Sequence, residues 1–375
     1  MMNGTYCTRE IIYISSIPWE FSWHRQQEMM TYMAKYGFRV LFVEPCSKRY
    51  PFQKMFVQER ENIWRIRPCG LPYERCLKTV NHLNAVLSRT DIQKVARQIG
   101  FQKPMIWLDR VHGFDLKCLR KEYFVVYDLI DEILAFGRIR NDKLLLDLEN
   151  QVLRRADFLL SSSQTLMNRK IQQSGRNGKA LFLPNGVNCS RFQSVEPRIH
   201  QDVKEHLTIG FVGHISKRSI NFQLVQSVAK LKPEWTLLFV GPGTQEDKSA
   251  LKNGIANIET RAPVDGSEVP NVIQEFDVGM IPYNVEDEKM DYVFPRKACE
   301  YLASGRPVVS TRLKEVEALA PYVAVADTPE AFIRQIENSL NGEVTAKQRR
   351  EFCSRFDWDC LMGKFMAQIP VKEKK

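Results

Sequence analysis

The segment FPRKACEYLASGRPVV, residues 294–309, carries the most specific pattern in the chain. Pro295 is favoured in the first turn of a helix and Gly305 just after the last turn, so the segment predicts a short helix between them. The residues that follow, from Arg306 to Val309, predict a buried strand. A helix that leads directly into a buried strand is typical of the units that build a parallel sheet. The segment therefore predicts an α/β fold.

The same alternation of strand-like and helix-like segments extends along the whole chain. In the first half, strands are predicted at residues 11–14, 39–43, 63–66, 105–108, 124–127, 158–161 and 179–187, with a helix at 24–35. In the second half, strands are predicted at residues 207–213, 236–243, 277–283 and 306–311, with helices at 219–231 and 271–276. We expect each half to be Rossmann-like.

A polar segment, residues 188–206, separates the two halves and contains Pro197, as a linker would. The sequence therefore predicts an N-terminal Rossmann-like domain at residues 1–190 and a second one at residues 191–355. A last helix, around residues 358–368, has an apolar face. We predict that this C-terminal segment, residues 356–375, crosses back to the first domain.

The composition is that of an ordinary globular protein, with 44% hydrophobic and 26% charged residues among 375. A net charge of +10 favours anionic partners: nucleotide phosphates, an acidic membrane surface or nucleic acid. Nucleic acid is the least favoured of the three, because no recognition motif accompanies the charge. A solvated basic surface is the simpler interpretation.

The cysteines and the N-terminus indicate a reducing compartment. The nine cysteines form no C-x-x-C pair, which argues against a disulfide framework and against a zinc site. The first residues, MMNGTYCTRE, lack an apolar signal core, and no run approaches the ~18 apolar residues of a membrane span. We expect a cytoplasmic protein, either soluble or peripheral at the inner face of the membrane.

A phosphate site is predicted in the segment IGFVGHISKRS, residues 209–219. A strand that runs into Gly213 allows a sharp turn and leaves N–H groups free at the start of the next helix. The cations Lys217 and Arg218 follow at once. A plain turn with surface cations is the alternative interpretation. The glycines of GPG, residues 241–243, lack the third glycine of a dinucleotide fingerprint, since Glu246 stands there.

The helix that starts near Pro295 adds a second group of candidate residues. Lys297 and Glu300 are three residues apart, so they lie on neighbouring faces near the helix start. A carboxylate at this place can accept hydrogen bonds from a ribose diol, and a lysine can offset phosphate charge. The alternative is a salt bridge between the two on the surface of an amphipathic helix.

These motifs together resemble the donor site of group 1 (family 4) retaining glycosyltransferases. The resemblance is densest from residues 183 to 311, a range that includes LPNGV at 183–187. It extends to VVYDLIDE at 125–132. It is closest to the branch that includes teichuronic acid and other bacterial surface polysaccharide enzymes. The resemblance implies the GT-B fold, in which two Rossmann-like domains face each other across a cleft. It also implies a nucleotide-sugar donor.

The resemblance assigns roles to individual residues. Glu300 matches the family's ribose-binding glutamate, the second of an E-x7-E pair, whereas the first position of that pair holds Tyr292. His214 stands where the family has a phosphate-binding arginine. Lys217 and Arg218 are therefore predicted to substitute for that arginine.

Acceptor residues are predicted in the loop after the first strand, SSIPWEFSWHRQQ. The carboxyl end of a parallel strand is where such sheets bind ligands. We therefore expect Trp19, Glu20, Trp23 and His24 to contact the acceptor. Core packing of the two tryptophans is an equal alternative.

Catalytic residues are predicted at Asp128, Asp131 and His112. The two aspartates follow the strand at residues 124–127, and Asp128 falls near the place where relatives keep a histidine that contacts the donor sugar. A helix N-cap role for Asp131 is the alternative. His112, in the segment DRVHGFD, has the alternative of a purely structural role.

The predicted reaction is transfer of a sugar, with a UDP-sugar favoured, to a lipid-linked or polysaccharide acceptor with retention of configuration. No D-x-D motif stands in a suitable loop, so no metal or other cofactor is expected, and basic side chains would offset the leaving-group charge. Two alternatives remain open: a sugar-nucleotide epimerase on the same fold, and a non-catalytic sugar-nucleotide-binding subunit.

Overall fold

The computed structural model describes residues 8–21, 23–47, 56–113, 123–133, 141–194, 206–342 and 344–371. Cys7 and Cys118, most of the decapeptide at the N-terminus, and the second half of the predicted linker with Pro197 lie outside these ranges. The chain divides into two compact units. The first contains residues up to Pro184 and residues from Met362 onward, and the second runs from Asn185 to Leu361.

The first unit is built on a sheet of eight strands. The strands are β1 (Glu10–Ile14), β2 (Arg39–Val43), β3 (Phe56–Arg60), β4 (Ile63–Ile66), β5 (Met105–Leu108), β6 (Val125–Leu129), β7 (Phe158–Ser161) and β8 (Lys179–Phe182). Their spatial order is β3-β4-β2-β1-β5-β6-β7-β8, and only the edge strand β3 is antiparallel. The central strands β1, β5 and β7 are buried along their whole length, as expected for a parallel sheet covered on both faces.

The helices of the first unit connect these strands. They are α1 (Arg25–Lys35), α2 (Lys78–Gln98), α3 (Asp142–Arg155) and α4 (Gln164–Ser174). The predicted helix at 24–35 is thus confirmed, with His24 as its N-cap. No helix in the described part of the chain is both long enough and apolar enough to span a membrane.

The second unit is built on six parallel strands. They are β9 (Thr208–Val212), β10 (Thr236–Val240), β11 (Ile258–Arg261), β12 (Val278–Ile281), β13 (Val308–Ser310) and β14 (Val323–Val325). The helices of this unit begin with α5 (Cys189–Gln193), α6 (Phe222–Leu231), α7 (Gln245–Lys252), α8 (Val269–Ile273) and α9 (Arg296–Ala303). They continue with α10 (Lys314–Glu317), α11 (Pro329–Asn341) and α12 (Ala346–Cys353), and α13 (Trp358–Met366) ends the chain's regular structure.

The strand order of each sheet fixes where a ligand can bind. The second sheet runs β11-β10-β9-β12-β13-β14, which is the 3-2-1-4-5-6 order of a Rossmann fold. In such sheets the order reverses between the first and fourth strands, and ligands bind at the carboxyl ends beside that point. The switch point lies between β9 and β12 in the second unit. In the first unit it lies between β1 and β5.

The boundary between the units lies at Pro184, six residues before the predicted one. The segment from Asn185 onward is held by the second unit: the Asn185 amide donates to the Phe294 carbonyl at 3.3 Å, and the Cys189 backbone N–H donates to Asp357 at 2.9 Å. The C-terminal helix α13 begins in the second unit, but its end belongs to the first, where the Phe365 ring packs 4.7 Å from that of Trp107.

Candidate active site

Two glycine turns adjoin at the carboxyl ends of β9 and β10. Gly213 follows β9 and Gly241 follows β10, with φ angles of +152° and +151°, a region of backbone conformation that favours glycine. A Cβ at Gly241 would overlap the carbonyl oxygen of Gly213. The Gly213 N–H donates to the Val240 carbonyl at 2.9 Å, so the two turns are held together at the switch point.

The Lys297 side chain lies directly against the Gly213 turn. A Cβ at Gly213 would overlap the Lys297 Cε, and the Nζ would stand 2.8 Å from it. The ammonium donates to the Tyr283 hydroxyl at 3.1 Å and lies 5.2 Å from the centroid of the Phe211 ring. The start of α9 and the turn after β9 therefore meet, and they place a cation beside the predicted phosphate turn.

The charge on Lys297 is stable at neutral pH. Burial disfavours the ammonium, but the Tyr283 hydroxyl and the Glu300 carboxylate more than compensate, so that the pKa of Lys297 is raised above its usual value. The next helix, α6, begins nine residues after Gly213, and the N–H groups of Gly213 and Ile215 donate to backbone carbonyls, so the predicted free N–H groups at a helix start are not formed by this turn. The protonated Lys297 is the group beside the turn that is suited to a diphosphate.

Glu300 forms an ion pair with Arg296 and not with Lys297. The Arg296 Nε lies 2.7 Å from Glu300 Oε1, one helical turn away, and 11% of the Glu300 side chain is exposed. The alternative of a Lys297–Glu300 surface salt bridge is therefore wrong, because Lys297 turns towards Tyr283. Pro295 is the N-cap of α9, one position before the predicted first turn.

His214, Lys217 and Arg218 follow Gly213 and are all exposed. The Lys217 backbone N–H donates to Asp247 at 3.1 Å, and the Arg218 Nε lies 3.9 Å from Asp287. Their phosphate roles stay predictions.

A cavity of about 340 Å³ and a second of about 250 Å³ lie within the first unit, and the second of these is at the switch point. Its walls come from the loops after β1, β5 and β6 and from α1. The polar side chains among its lining residues include Ser16, Gln26, Arg75, Asp109, Arg110, His112, Asp131 and Glu132. Two of the three predicted catalytic residues, His112 and Asp131, are thus brought to one cavity.

Asp109 is a cavity residue that sequence reasoning missed. Its carboxylate accepts hydrogen bonds from the Ser16 N–H at 2.6 Å and the Gln26 amide at 2.8 Å. Burial, reinforced by the nearby charge of Asp128, outweighs these hydrogen bonds and raises the pKa of Asp109 to about 6. Its position directly after the wholly buried strand β5, at the carboxyl end of the sheet, could have identified it as a candidate.

His112 is neutral in this environment. Burial, together with the charges of Arg110 and Arg75, holds its pKa well below the usual value, and its Nε2 accepts a hydrogen bond from Arg75 at 3.2 Å. Asp131 is exposed to solvent at the cavity wall. The catalytic roles of both residues stay predictions.

Asp128, the third predicted catalytic residue, is fully buried in an ion pair with Arg25. Its two oxygens accept hydrogen bonds from Arg25 Nη2 at 3.0 Å and Nε at 3.1 Å. The same guanidinium donates to the carbonyls of Leu183 and Pro184 at 2.7 and 3.0 Å. This pair fixes α1 against the end of β6 and the segment after β8.

The predicted acceptor loop is packed mainly against its own unit. Trp19 is buried, with its ring 5.0 Å from Phe42 and 5.7 Å from Trp23. Glu20 forms an ion pair with Arg65 at 3.0 Å. The packing alternative therefore describes Trp19, whereas exposed His24 caps α1.

Within the described residues, no group of three histidine, cysteine or acidic side chains is placed to hold a metal ion. Tyr283 and Arg296 also escaped sequence reasoning. Both lie within motifs quoted above, but their contacts with Lys297 and Glu300 became evident only from the packing of α9.

The comparisons with known proteins agree with the motifs. Residues 206–341 match the family model for glycosyl transferases group 1. TuaH of Bacillus subtilis, which is named as a teichuronic acid biosynthesis glycosyltransferase, is 31% identical over 246 residues. That match covers 62% of this chain and spans 61% of the relative's length. The resemblance to group 1 glycosyltransferases is therefore confirmed.

Solved structures show the fold. Sucrose-phosphate synthase from Thermosynechococcus elongatus has a TM-score of 0.74 at 14% identity, covering 96% of this chain and 97% of its own. A glycosyltransferase from Rickettsia africae has a TM-score of 0.69 at 14% identity, covering 96% and 98%. Anabaena HepE in complex with UDP has a TM-score of 0.65 at 15% identity, with the same coverage. The predicted GT-B fold is confirmed.

Proposed function

We propose that the chain is a glycosyltransferase that takes a sugar from a nucleoside diphosphate donor held by its second unit. The observation that carries this proposal is the Lys297 ammonium, which lies against the Gly213 turn at the switch point of a Rossmann sheet. The family match covers this region, and TuaH and the HepE–UDP complex support a nucleotide-sugar donor.

The donor would be bound by two kinds of contact. The Lys297 ammonium would hold the diphosphate, with Lys217, Arg218 and His214 as further candidates. The Glu300 carboxylate would accept hydrogen bonds from the ribose, oriented by Arg296. Preorganised cations at the leaving diphosphate stabilise a transition state in which negative charge develops there.

The acceptor would be bound by the first unit. Its 250 Å³ cavity is lined by three carboxyl groups and the Gln26 amide, which are suited to hydrogen bonds with sugar hydroxyls. We propose retention of configuration, with the departing phosphate accepting the acceptor proton and with no cofactor. The acceptor proposed is a lipid-linked or polysaccharide intermediate of cell-surface glycan synthesis, at an anionic membrane surface that the net charge of +10 favours.

The test is a titration of UDP and uridine by calorimetry against two site variants. Glu300→Gln should weaken both ligands roughly ten- to a hundredfold, because a charge-assisted hydrogen bond contributes about 1.5–3 kcal/mol. Lys297→Ala should weaken UDP but leave uridine nearly unchanged, since uridine has no phosphate.

The matched control is Glu337→Gln on α11, which removes a partly exposed ion pair with Lys232 at the end of α6. It should leave both affinities unchanged. Wild-type affinity in both Glu300→Gln and Lys297→Ala would refute the donor site. If GDP or ADP binds and UDP does not, the site stands and only the preference for uridine is overturned.

A further inference from the structure

The outer side of the α2 region exposes a concentration of large apolar side chains. Six of those exposed in the described ranges lie between residues 71 and 87, with exposed fractions from 37% to 62%. They are Leu71, Tyr73, Leu77, Leu83, Val86 and Leu87. Exposed apolar side chains scattered singly are normal in proteins, but a cluster indicates a surface that contacts a partner.

The exposed residues of α2 form one stripe along the helix. Leu83, Val86 and Leu87 are spaced by three and four residues, and the same spacing continues through Thr90 to Lys94 and Arg97. The opposite side of the helix is buried, and it contains Ala85, Ser88, Ile92 and Val95 among others. The stripe is therefore apolar in its first half and cationic in its second.

The charge on this stripe is of one sign. The exposed cations of α2 are Lys78, Arg89, Lys94 and Arg97. The helix's single acidic residue, Asp91, is half-buried and accepts a hydrogen bond from the Cys69 N–H at 3.2 Å. In the described part of the chain, Lys94 and Arg97 form no ion pair. Their charges are thus available to an anionic partner.

The loop before α2 is fixed to the helix. The Leu71 N–H donates to the Asn84 side-chain oxygen at 2.8 Å, and the Asn84 amide donates back to the Leu71 carbonyl at 2.8 Å. Leu71 is therefore held against the middle of α2 while its side chain stays 49% exposed. The backbone at Leu71 is thus ordered before any partner binds, beside an exposed apolar side chain.

We infer that this surface, the exposed stripe of α2 with Leu71, Tyr73 and Leu77, docks the chain on an anionic lipid bilayer. Leucine and valine would enter the headgroup boundary while lysine and arginine meet lipid phosphates, so burial of apolar area and attraction to anionic lipids would both contribute. The inference rests on the part of the proposed function that places the acceptor at a membrane.

The experiment is flotation of the full chain with vesicles of phosphatidylcholine alone or with one third phosphatidylglycerol, at low and high salt. Each cation near an anionic membrane changes partitioning about fivefold, so Lys94→Glu/Arg97→Glu should weaken binding at least about 25-fold. Lys230→Glu/Lys252→Glu, on exposed residues of α6 and α7, makes the same change in net charge and should have little effect. Leu83→Ser/Leu87→Ser should also weaken binding, whereas Leu231→Ser should not.

Equal losses in both charge-reversal doubles would overturn the inference, because binding would then follow net charge alone. Absence of binding to anionic vesicles at low salt would overturn it too, as would a wild-type dimer in sedimentation that Leu83→Ser/Leu87→Ser dissociates. A parallel UDP titration separates this inference from the donor site. If the protein binds UDP but does not bind vesicles, only the docking surface is contradicted. If it binds vesicles but binds no nucleotide, only the donor site is contradicted.

Discussion

Removal of the Asp128 charge should destabilise the first unit strongly. Asp128 is fully buried, and in Asp128→Asn the Arg25 guanidinium would lose the charge that balances its own. Breaking a buried pair on one side costs about 3–5 kcal/mol. The Arg25 guanidinium would still donate to the Leu183 and Pro184 carbonyls in this variant. We therefore expect a loss of stability at the lower end of that range, about 3 kcal/mol.

For a unit of this size, that loss lowers the melting temperature by roughly 6–12 °C. The assay is urea unfolding followed by tryptophan fluorescence, with calorimetry for the melting temperature. Arg25→Met/Asp128→Leu should recover part of the loss, since replacing both charges by apolar groups is often neutral. The exposed pair Arg312–Asp327 is the control, and Asp327→Asn should leave the melting temperature nearly unchanged, because solvent screens an exposed pair.

A loss below about 1 kcal/mol in Asp128→Asn would refute the argument that the ion pair stabilises the unit. If that variant is as stable as wild type but loses sugar transfer, the predicted catalytic role of Asp128 gains support instead.

Three other predictions concern the turns, metal and pH. Gly241→Ala should weaken UDP at least about tenfold, because its Cβ overlaps the Gly213 carbonyl; calorimetry measures this, and Gly363→Ala, whose Cβ would meet open space, should leave binding unchanged. Sugar transfer should survive EDTA, because side-chain cations offset the phosphate charge, and a complete loss that magnesium or manganese restores would contradict this. The folded-state pKa of Asp109, about 6, lies above its unfolded value, so the wild type loses stability as pH rises towards 6. Urea unfolding should therefore show Asp109→Asn gaining about 2 kcal/mol on the wild type between pH 4 and pH 7, and a difference that does not change with pH would disprove the assignment.

The sequence predicted the buried strands closely, because continuous apolar runs leave little choice of structure. Strands β2, β4, β5 and β7 have the predicted bounds. Helix α2 was not predicted. Leu83, Val86 and Leu87 face outward on it, which disturbs the helical pattern of buried positions. The edge strand β3 was missed as well, since most of it is polar or exposed.

The candidate site was only partly predictable for a related reason. Gly213 and Lys297 were found separately from local motifs, but their contact depends on how α9 packs beside β9. Asp109 is bound by Gln26, 83 residues earlier in the chain, and no local pattern reports a hydrogen bond of that span.

The shared C-terminal helix α13 has a consequence for how the chain folds as it is synthesised. Phe365 packs between Trp107 and Phe158, with ring centroids 4.7 and 5.6 Å away, in the core of the first unit. The ribosome releases the eight strands of that unit long before it makes Phe365. During synthesis, the apolar site in the first unit that binds Phe365 therefore stays unfilled until the second unit has been synthesised. A fragment that ends at Pro184 would expose this site permanently.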